Sequence, residues 1–301
     1  MPQSPTPEKS KSLPFIALLV GSCSLAFGPW LVRLADVGPV AAGFWRLSLA
    51  LPFLLLVGSL FRQPPQWPRK ALAWTIFAAA AFYAADLALW NIGIHMTKLG
   101  NATLFGNISS FAFAAWGLWL ARRWPTRLQA AALLLAAAGS AMLMTGSYEL
   151  SPRNFRGDLF ALVAGLLYTG YLIGIERGRA ELAALPLLFL STLFGAAMLL
   201  PVSAALGEEI WPRDWTPVLI FALSSQVLGQ GLLVYAIGKL PPLVVGLALL
   251  TQPAIAAFVG WAAYDEQLSA LDFTGAFAIG IALVLVRLPD RGLREKAAQP
   301  S

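Results

Sequence analysis

Charge is what this sequence lacks most. Only 12% of its 301 residues are Asp, Glu, Lys or Arg, about half the roughly 25% of an average soluble domain. The single cysteine, Cys23, excludes an internal disulfide and any cysteine-rich metal site. There is one histidine, His95, and no H-E-x-x-H, no Cys pair and no Ser/His/Asp constellation. No metal, cofactor or enzymatic chemistry is therefore expected. The start, MPQSPTPEKSKS, is polar and runs into a full-length apolar stretch, so no cleaved signal is expected.

What is there is apolar: 58% hydrophobic residues, with a mean hydropathy of +0.70. A membrane helix needs about 20 predominantly apolar residues. Ten such runs are expected, near 13–34, 40–61, 71–93, 100–120, 128–146, 157–176, 184–206, 216–237, 242–263 and 270–288. The short connections RQPPQWPRK, RRWPTR, EEIWPRD and KLPP carry the helix breakers. The chain thus reads as an all-α integral membrane protein. Trp67, Trp124, Trp211 and Trp215, at helix ends, read as interfacial anchors. The net charge of +6 does not indicate nucleic acid, because the basic residues lie in short loops and not on one soluble face.

Lys and Arg set the orientation. One set of helix ends carries fifteen of them: Lys9, Lys11, Arg62, Arg69, Lys70, Arg122, Arg123, Arg127, Arg177, Arg179, Lys239, Arg287, Arg291, Arg294 and Lys296. The other carries five: Arg33, Lys98, Arg153, Arg156 and Arg213. The first set is expected to be cytoplasmic, with both termini inside. The outer ends instead hold Asp36, Glu149, Glu208, Glu209, Asp265 and Glu266.

The stretch from Leu233 echoes the one from Trp90 in hydropathy, loop length and small-residue spacing, at an offset of about 143 residues. That divides ten helices into five and five. An odd unit repeated in tandem enters the membrane upside down the second time, and inverted repeats mark transporters with a midplane site between the halves. The expected division is a tail, 1–12; a first repeat, 13–146; an outer loop, 147–156; a second repeat, 157–288; and a tail, 289–301. Small residues four apart, such as Ala17/Gly21 and Ala276/Gly280, read as helix packing.

Two charges lie inside the membrane. Arg46 is about six residues, roughly 9 Å, into the second run; Asp86 is roughly 10 Å from the outer end of the third. Intramembrane charges normally face the interior and have partners. The Arg46–Asp86 pair reads either as a fastener between helices or as cavity wall that meets a zwitterion. Tyr83, Asp86 and Trp90 share one helix face, as do Thr103, Asn107 and Ser110. Tyr168, Tyr171, Gln226, Gln230 and Gln252 add polar groups from three further helices. Each could be interhelical glue; together they suggest a shared polar cavity near mid-bilayer. Pro253 breaks the ninth helix and frees the carbonyl of Leu249, a pointer to a substrate site.

Gln252-Pro253 in mid-helix, Asp265-Glu266 heading the last loop, and Gly275 and Gly280 in the last helix resemble the drug/metabolite transporter (DMT) superfamily, EamA type. GPVAAGFWRLSLALPFLLL, with Arg46, resembles that family's second helix. The resemblance implies a DMT fold of two EamA-like repeats, secondary transport of a small molecule out of the cell, and a place in a bacterial inner (cytoplasmic) membrane. Among its branches the chain looks most like the YddG-type exporters of aromatic amino acids. It departs from the pattern at Ser109-Ser110, which stand where the sister helix has Pro253. The loop ARRWPTR also lacks the acid seen at Glu266. No first-helix glutamate of the small multidrug-resistance kind is present.

With no membrane lysine and one arginine, the expected cavity suits neither phosphate nor nucleotide-sugar substrates. A neutral zwitterion fits best: amides and tyrosines for its head, aromatic rings for its side chain. A cationic drug is the alternative, through Asp86, Tyr83 and Trp90. The inverted repeat speaks for alternating access and against a passive channel. Both orientations exist within one chain, so a monomer suffices.

Overall fold

The computed structural model describes residues 12–97, 99–122, 124–145, 152, 154–264 and 268–288. Lys9, Lys11, Lys98, Arg123, Glu149, Arg153, Asp265, Glu266, Arg291, Arg294 and Lys296 lie outside the described residues, as do residues 1–11 of the expected tail 1–12 and the whole of the tail 289–301. Every regular element among the described residues is helical. In order they are α1 (Ser12–Ala26), α2 (Gly28–Leu34), α3 (Pro39–Leu60), α4 (Lys70–Met96), α5 (Leu99–Gly106), α6 (Ile108–Leu120) and α7 (Arg127–Thr145). The second half holds α8 (Phe155–Arg179), α9 (Ala184–Ala205), α10 (Trp215–Phe221), a π-helical segment (Ala222–Gln230), α11 (Gly231–Ile237), α12 (Pro242–Leu249), α13 (Gln252–Tyr264) and α14 (Ala270–Arg287).

Eight helical stretches among the described residues are long and apolar enough to cross a bilayer, where the sequence suggests ten runs. The fourth and fifth runs are not among the eight. The fourth run is divided at Asn107 into α5 and α6. The fifth is the shorter apolar helix Arg127–Leu143.

Four interruptions shape the bundle. The first run breaks at Phe27, just before Gly28-Pro29. The fourth breaks at Asn107 without a proline: the Ser109 hydroxyl donates to the Gly106 carbonyl at 3.0 Å, and Ser110 N–H closes a tighter turn onto Asn107. The ninth breaks at Leu250–Thr251, ahead of Pro253, where the Thr251 hydroxyl donates to the Ala248 carbonyl at 2.7 Å. The eighth stays continuous but widens into the π segment.

Helices pack against their counterparts across the two halves: α3 on α9, α7 on α14, and α6 on α12 near the midpoint. At the α6–α12 and α7–α14 crossings small residues bring backbones together, because lipid gives apolar side chains no reason to leave it. At the α7–α14 crossing the contact is mutual. A Cβ on Gly139 would lie 2.7 Å from the Gly275 carbonyl oxygen, and one on Gly275 would lie 2.6 Å from the Gly139 oxygen. Gly280, paired with Ala276 in the sequence, has nothing within 4 Å of its Cβ position, so that pair is no helix contact.

The outer ends are tied by polar groups. Glu208 accepts from Val40 and Ala41 N–H at 3.2 and 2.8 Å, capping α3 from a distant loop. Asp36 returns the tie by accepting from Arg213 and Asp214 N–H. Asp214 caps α10, and the N–H of Thr216 holds its carboxyl below the usual range. Trp45 donates to the Ile210 carbonyl at 2.6 Å and meets Trp211 at a tilt and Trp215 edge to face. Those two tryptophans therefore hold α3 to the loop before α10, in addition to the anchoring role expected of them. Asp158, buried in the first turn of α8, accepts from Thr97 and Asn101 where α4 passes to α5.

Gly139→Val or Gly275→Val should destabilise the protein by about 1–3 kcal/mol through overpacking. Gly280→Ala should leave stability unchanged or raise it slightly. Thermal unfolding in detergent checks the contrast; equal losses at all three positions contradict the crossing.

Candidate functional site

All four interruptions meet at one cavity of about 100 Å³. Ala26, Gly28 and Pro29 reach it from the first break, Gly106, Asn107 and Ser109 from the second, and Leu249 and Gln252 from the third. Phe221 and Gln230, at the two ends of the π segment, complete the ring. Backbone irregularity at membrane depth survives only where it is buried in protein or lines a polar space. π-bulges likewise occur at functional sites more often than elsewhere.

Of the residues expected in a cavity, Asp86, Trp90, Asn107, Ser110, Tyr168, Gln230 and Gln252 line this one, with Arg46. Arg46 and Asp86 are 7% and 8% exposed. They face the same space without a direct ion pair. The Arg46 guanidinium lies 4.9 Å from the Phe221 ring centroid and 5.8 Å from that of Tyr83. Apart from these ring contacts, neither Arg46 nor Asp86 has a hydrogen-bond or ion-pair partner among the described residues, and Arg46 Nε is buried without one. Asn107 Nδ2 is a second buried donor without an acceptor. The cavity thus offers unpaired donors, one guanidinium and one carboxyl group.

Tyr83, Tyr171 and Gln226 do not touch the cavity; they form a layer behind it. The Tyr83 hydroxyl donates to Gln226 Oε1 at 2.7 Å, and Gln226 Nε2 donates to Thr192 Oγ1 at 2.8 Å. Gln230 Nε2 donates to the Tyr168 hydroxyl at 3.0 Å, and the Tyr171 hydroxyl approaches Gln230 Oε1 at 3.5 Å. The Tyr83 and Tyr171 rings stack at 4.3 Å, and Tyr168 and Tyr171 at 5.6 Å. Two amides on the π segment therefore fasten α4, α8 and α9, and every hydroxyl in the layer is matched. Two residues of this set, Tyr168 and Gln230, also face the cavity.

Sequence reasoning missed three features. Gly28-Pro29 is a breaker dipeptide that a search for helix stops finds, yet it stood inside an otherwise apolar run. Phe221 looked like core; only the fold puts it under Arg46. Thr192 gave no signal beyond being a hydroxyl in an apolar helix.

The EamA-like transporter family model matches this chain twice, over residues 12–145 and 155–288. The chain belongs to the EamA-like transporter family. Such a transporter is a multi-pass membrane protein with a small-molecule substrate. The threonine/homoserine exporter RhtA of Escherichia coli K12 is 27% identical over 273 residues, covering 89% of this chain and 88% of that protein. The threonine/homoserine exporter RhtA of Salmonella typhimurium LT2 is 27% identical over 278 residues, with the same coverage of both chains. A solved crystal structure, described only as that of a protein, superposes with a TM-score of 0.77 at 14% identity. It covers 96% of this chain and 99% of its own, so the fold is shared over essentially the whole length. The named relatives of this EamA-like chain handle threonine and homoserine, where the sequence resemblance pointed to exporters of aromatic amino acids.

Gln226→Leu should strand the Tyr83 and Thr192 hydroxyls and cost about 1–3 kcal/mol. Adding Tyr83→Phe should then cost less than it does alone, because the same bond is already lost. Strictly additive losses in thermal unfolding would show that the two side chains act independently.

Proposed function

We propose that this chain exports small neutral amino acids, of threonine or homoserine size, by alternating access. The observation that carries the reading is the pair of unpartnered opposite charges on one cavity wall. An α-carboxylate matches the fork of Arg46, and an α-ammonium matches Asp86. Asn107, Ser110, Gln230 and Gln252 then supply neutral donors and acceptors for a polar side chain. The names of the two relatives support the same substrate class.

Size supports a small substrate. Sites for drug-sized ligands run to about 300–1,000 Å³, against about 100 Å³ here. That weighs against aromatic amino acids, and against the cationic drug that Asp86 and Trp90 would otherwise suit.

Taking each interrupted run as one pass gives ten, in repeats of 13–146 and 157–288. The excess of Lys and Arg on one set of ends then favours both termini in the cytoplasm of a bacterial inner membrane. The halves differ where movement is needed. The counterparts of the unbroken α4 and α8 are the stretch that widens into the π segment and the run that breaks at Phe27. Matched units in unlike conformations support rocking of one half against the other around the charged centre.

Counterflow of labelled threonine in proteoliposomes tests the function. Saturable flux, competed by unlabelled threonine or homoserine, is expected; non-saturating flux points to a channel. Arg46→Ala and Asp86→Ala should each lower counterflow about 10–100-fold, the worth of one charged hydrogen bond. Arg46→Lys should not restore it fully, since an ammonium cannot form the two-pronged contact. Normal transport by the double variant Arg46→Ala/Asp86→Ala rules the charge pair out of the substrate site.

A further inference from the structure

Trp90 is the largest side chain on the cavity wall. Its six-membered ring lies on Gly106, the last residue of α5 before the chain breaks at Asn107. A Cβ at position 106 would overlap Trp90 Cζ3 and stand 2.8 Å from Cη2 and 3.2 Å from Cε3. The absent side chain is what lets the indole lie back against Ile94, Ala102 and Ala161. Trp90 also lines the cavity.

The other large walls are held in place. Tyr168 is hydrogen bonded by Gln230 and stacked on Tyr171. Phe221 is 1% exposed and covered by the Arg46 guanidinium. Trp90 has no such tie: it is only partly buried, and its indole N–H has no hydrogen-bond partner among the described residues. Packing alone sets how far this ring intrudes.

We propose that Trp90 sets the upper size limit on the substrate's side chain, and that Gly106 sets how far the indole withdraws. This rests on the amino-acid reading above. A substrate aromatic ring and the Trp90 indole compete for one volume. Shortening residue 90 admits larger side chains, and adding a methyl at 106 drives the ring inward and excludes smaller ones. The two substitutions move selectivity in opposite directions, which a general loosening of the bundle does not do.

The test is threonine counterflow in proteoliposomes, competed by alanine, threonine, leucine and phenylalanine. It is run with wild type, Trp90→Phe, Trp90→Leu, Trp90→Ala and Gly106→Ala. In wild type, threonine should compete far better than phenylalanine. Trp90→Leu and Trp90→Ala should improve phenylalanine relative to threonine by about tenfold or more, the scale on which a pocket discriminates by size. Trp90→Phe should shift it less. Gly106→Ala should weaken threonine about tenfold relative to alanine. Where Trp90→Ala does not give a monodisperse protein, Trp90→Phe and Trp90→Leu, which leave smaller voids, supply the result. A phenylalanine-to-threonine ratio within about twofold of wild type in every folded Trp90 variant overturns the proposal. A wild type that carries no amino acid overturns the proposed function itself; one that carries threonine with unmoved variants overturns only the role of Trp90.

Discussion

Open backbone groups cannot face lipid. With no water in the hydrocarbon, every N–H and C=O not paired within a helix must find protein or a polar space. This chain interrupts its membrane helices at Phe27, Asn107 and Leu250–Thr251 and widens one at Ala222–Gln230. All four places border the same cavity. The cavity and the irregularities are thus one feature. The polar space makes the breaks tolerable, and the breaks bring Asn107, Ser109 and Gln252 to its wall.

Around that centre the protein separates what must be rigid from what meets the substrate. The tyrosine–glutamine layer is stacked and hydrogen bonded, with Gln226 and Gln230 as its clips. Satisfied buried networks of this kind specify one arrangement. The wall in front of it is the opposite. Arg46 and Asp86 carry charge with nothing to pair it, an arrangement that costs free energy in a low-dielectric interior unless a ligand or water answers it. The outer clasp of Glu208 on α3 and Asp36 on the turn at Arg213–Asp214 joins the helix that carries Arg46 to the loop leading into Phe221. Guanidinium and ring are therefore positioned by a common support.

Much of this was legible in the residues. Asp86 and Arg46 at matched depth pointed to one site, and seven of the ten side chains expected to line it do so. Pro253 marked its break because proline removes a backbone donor wherever it sits. The break at Asn107 was not legible. There Ser109 closes onto Gly106, a choice that an ordinary helical serine makes only when the surrounding packing allows it. The π segment was equally silent, since ALSSQVLGQ has no residue that forbids an α-helix. Tyr83, Tyr171 and Gln226, expected on the cavity wall, form the layer behind it. Helical spacing gives the face a residue occupies, not which neighbour covers it.

By itself the sequence determined the solvent, the class and the inventory. Long apolar runs with few charges demand a bilayer, a repeat at about 143 residues demands related halves, and two intramembrane charges demand a polar interior. Those are local or periodic properties, readable without coordinates. Only the tertiary structure decided that Arg46 and Asp86 share a cavity without touching, that Phe221 lies beneath the guanidinium, and that Trp90 rests on Gly106. Each depends on how closely two distant helices approach, and that distance is set by small residues and interruptions acting together.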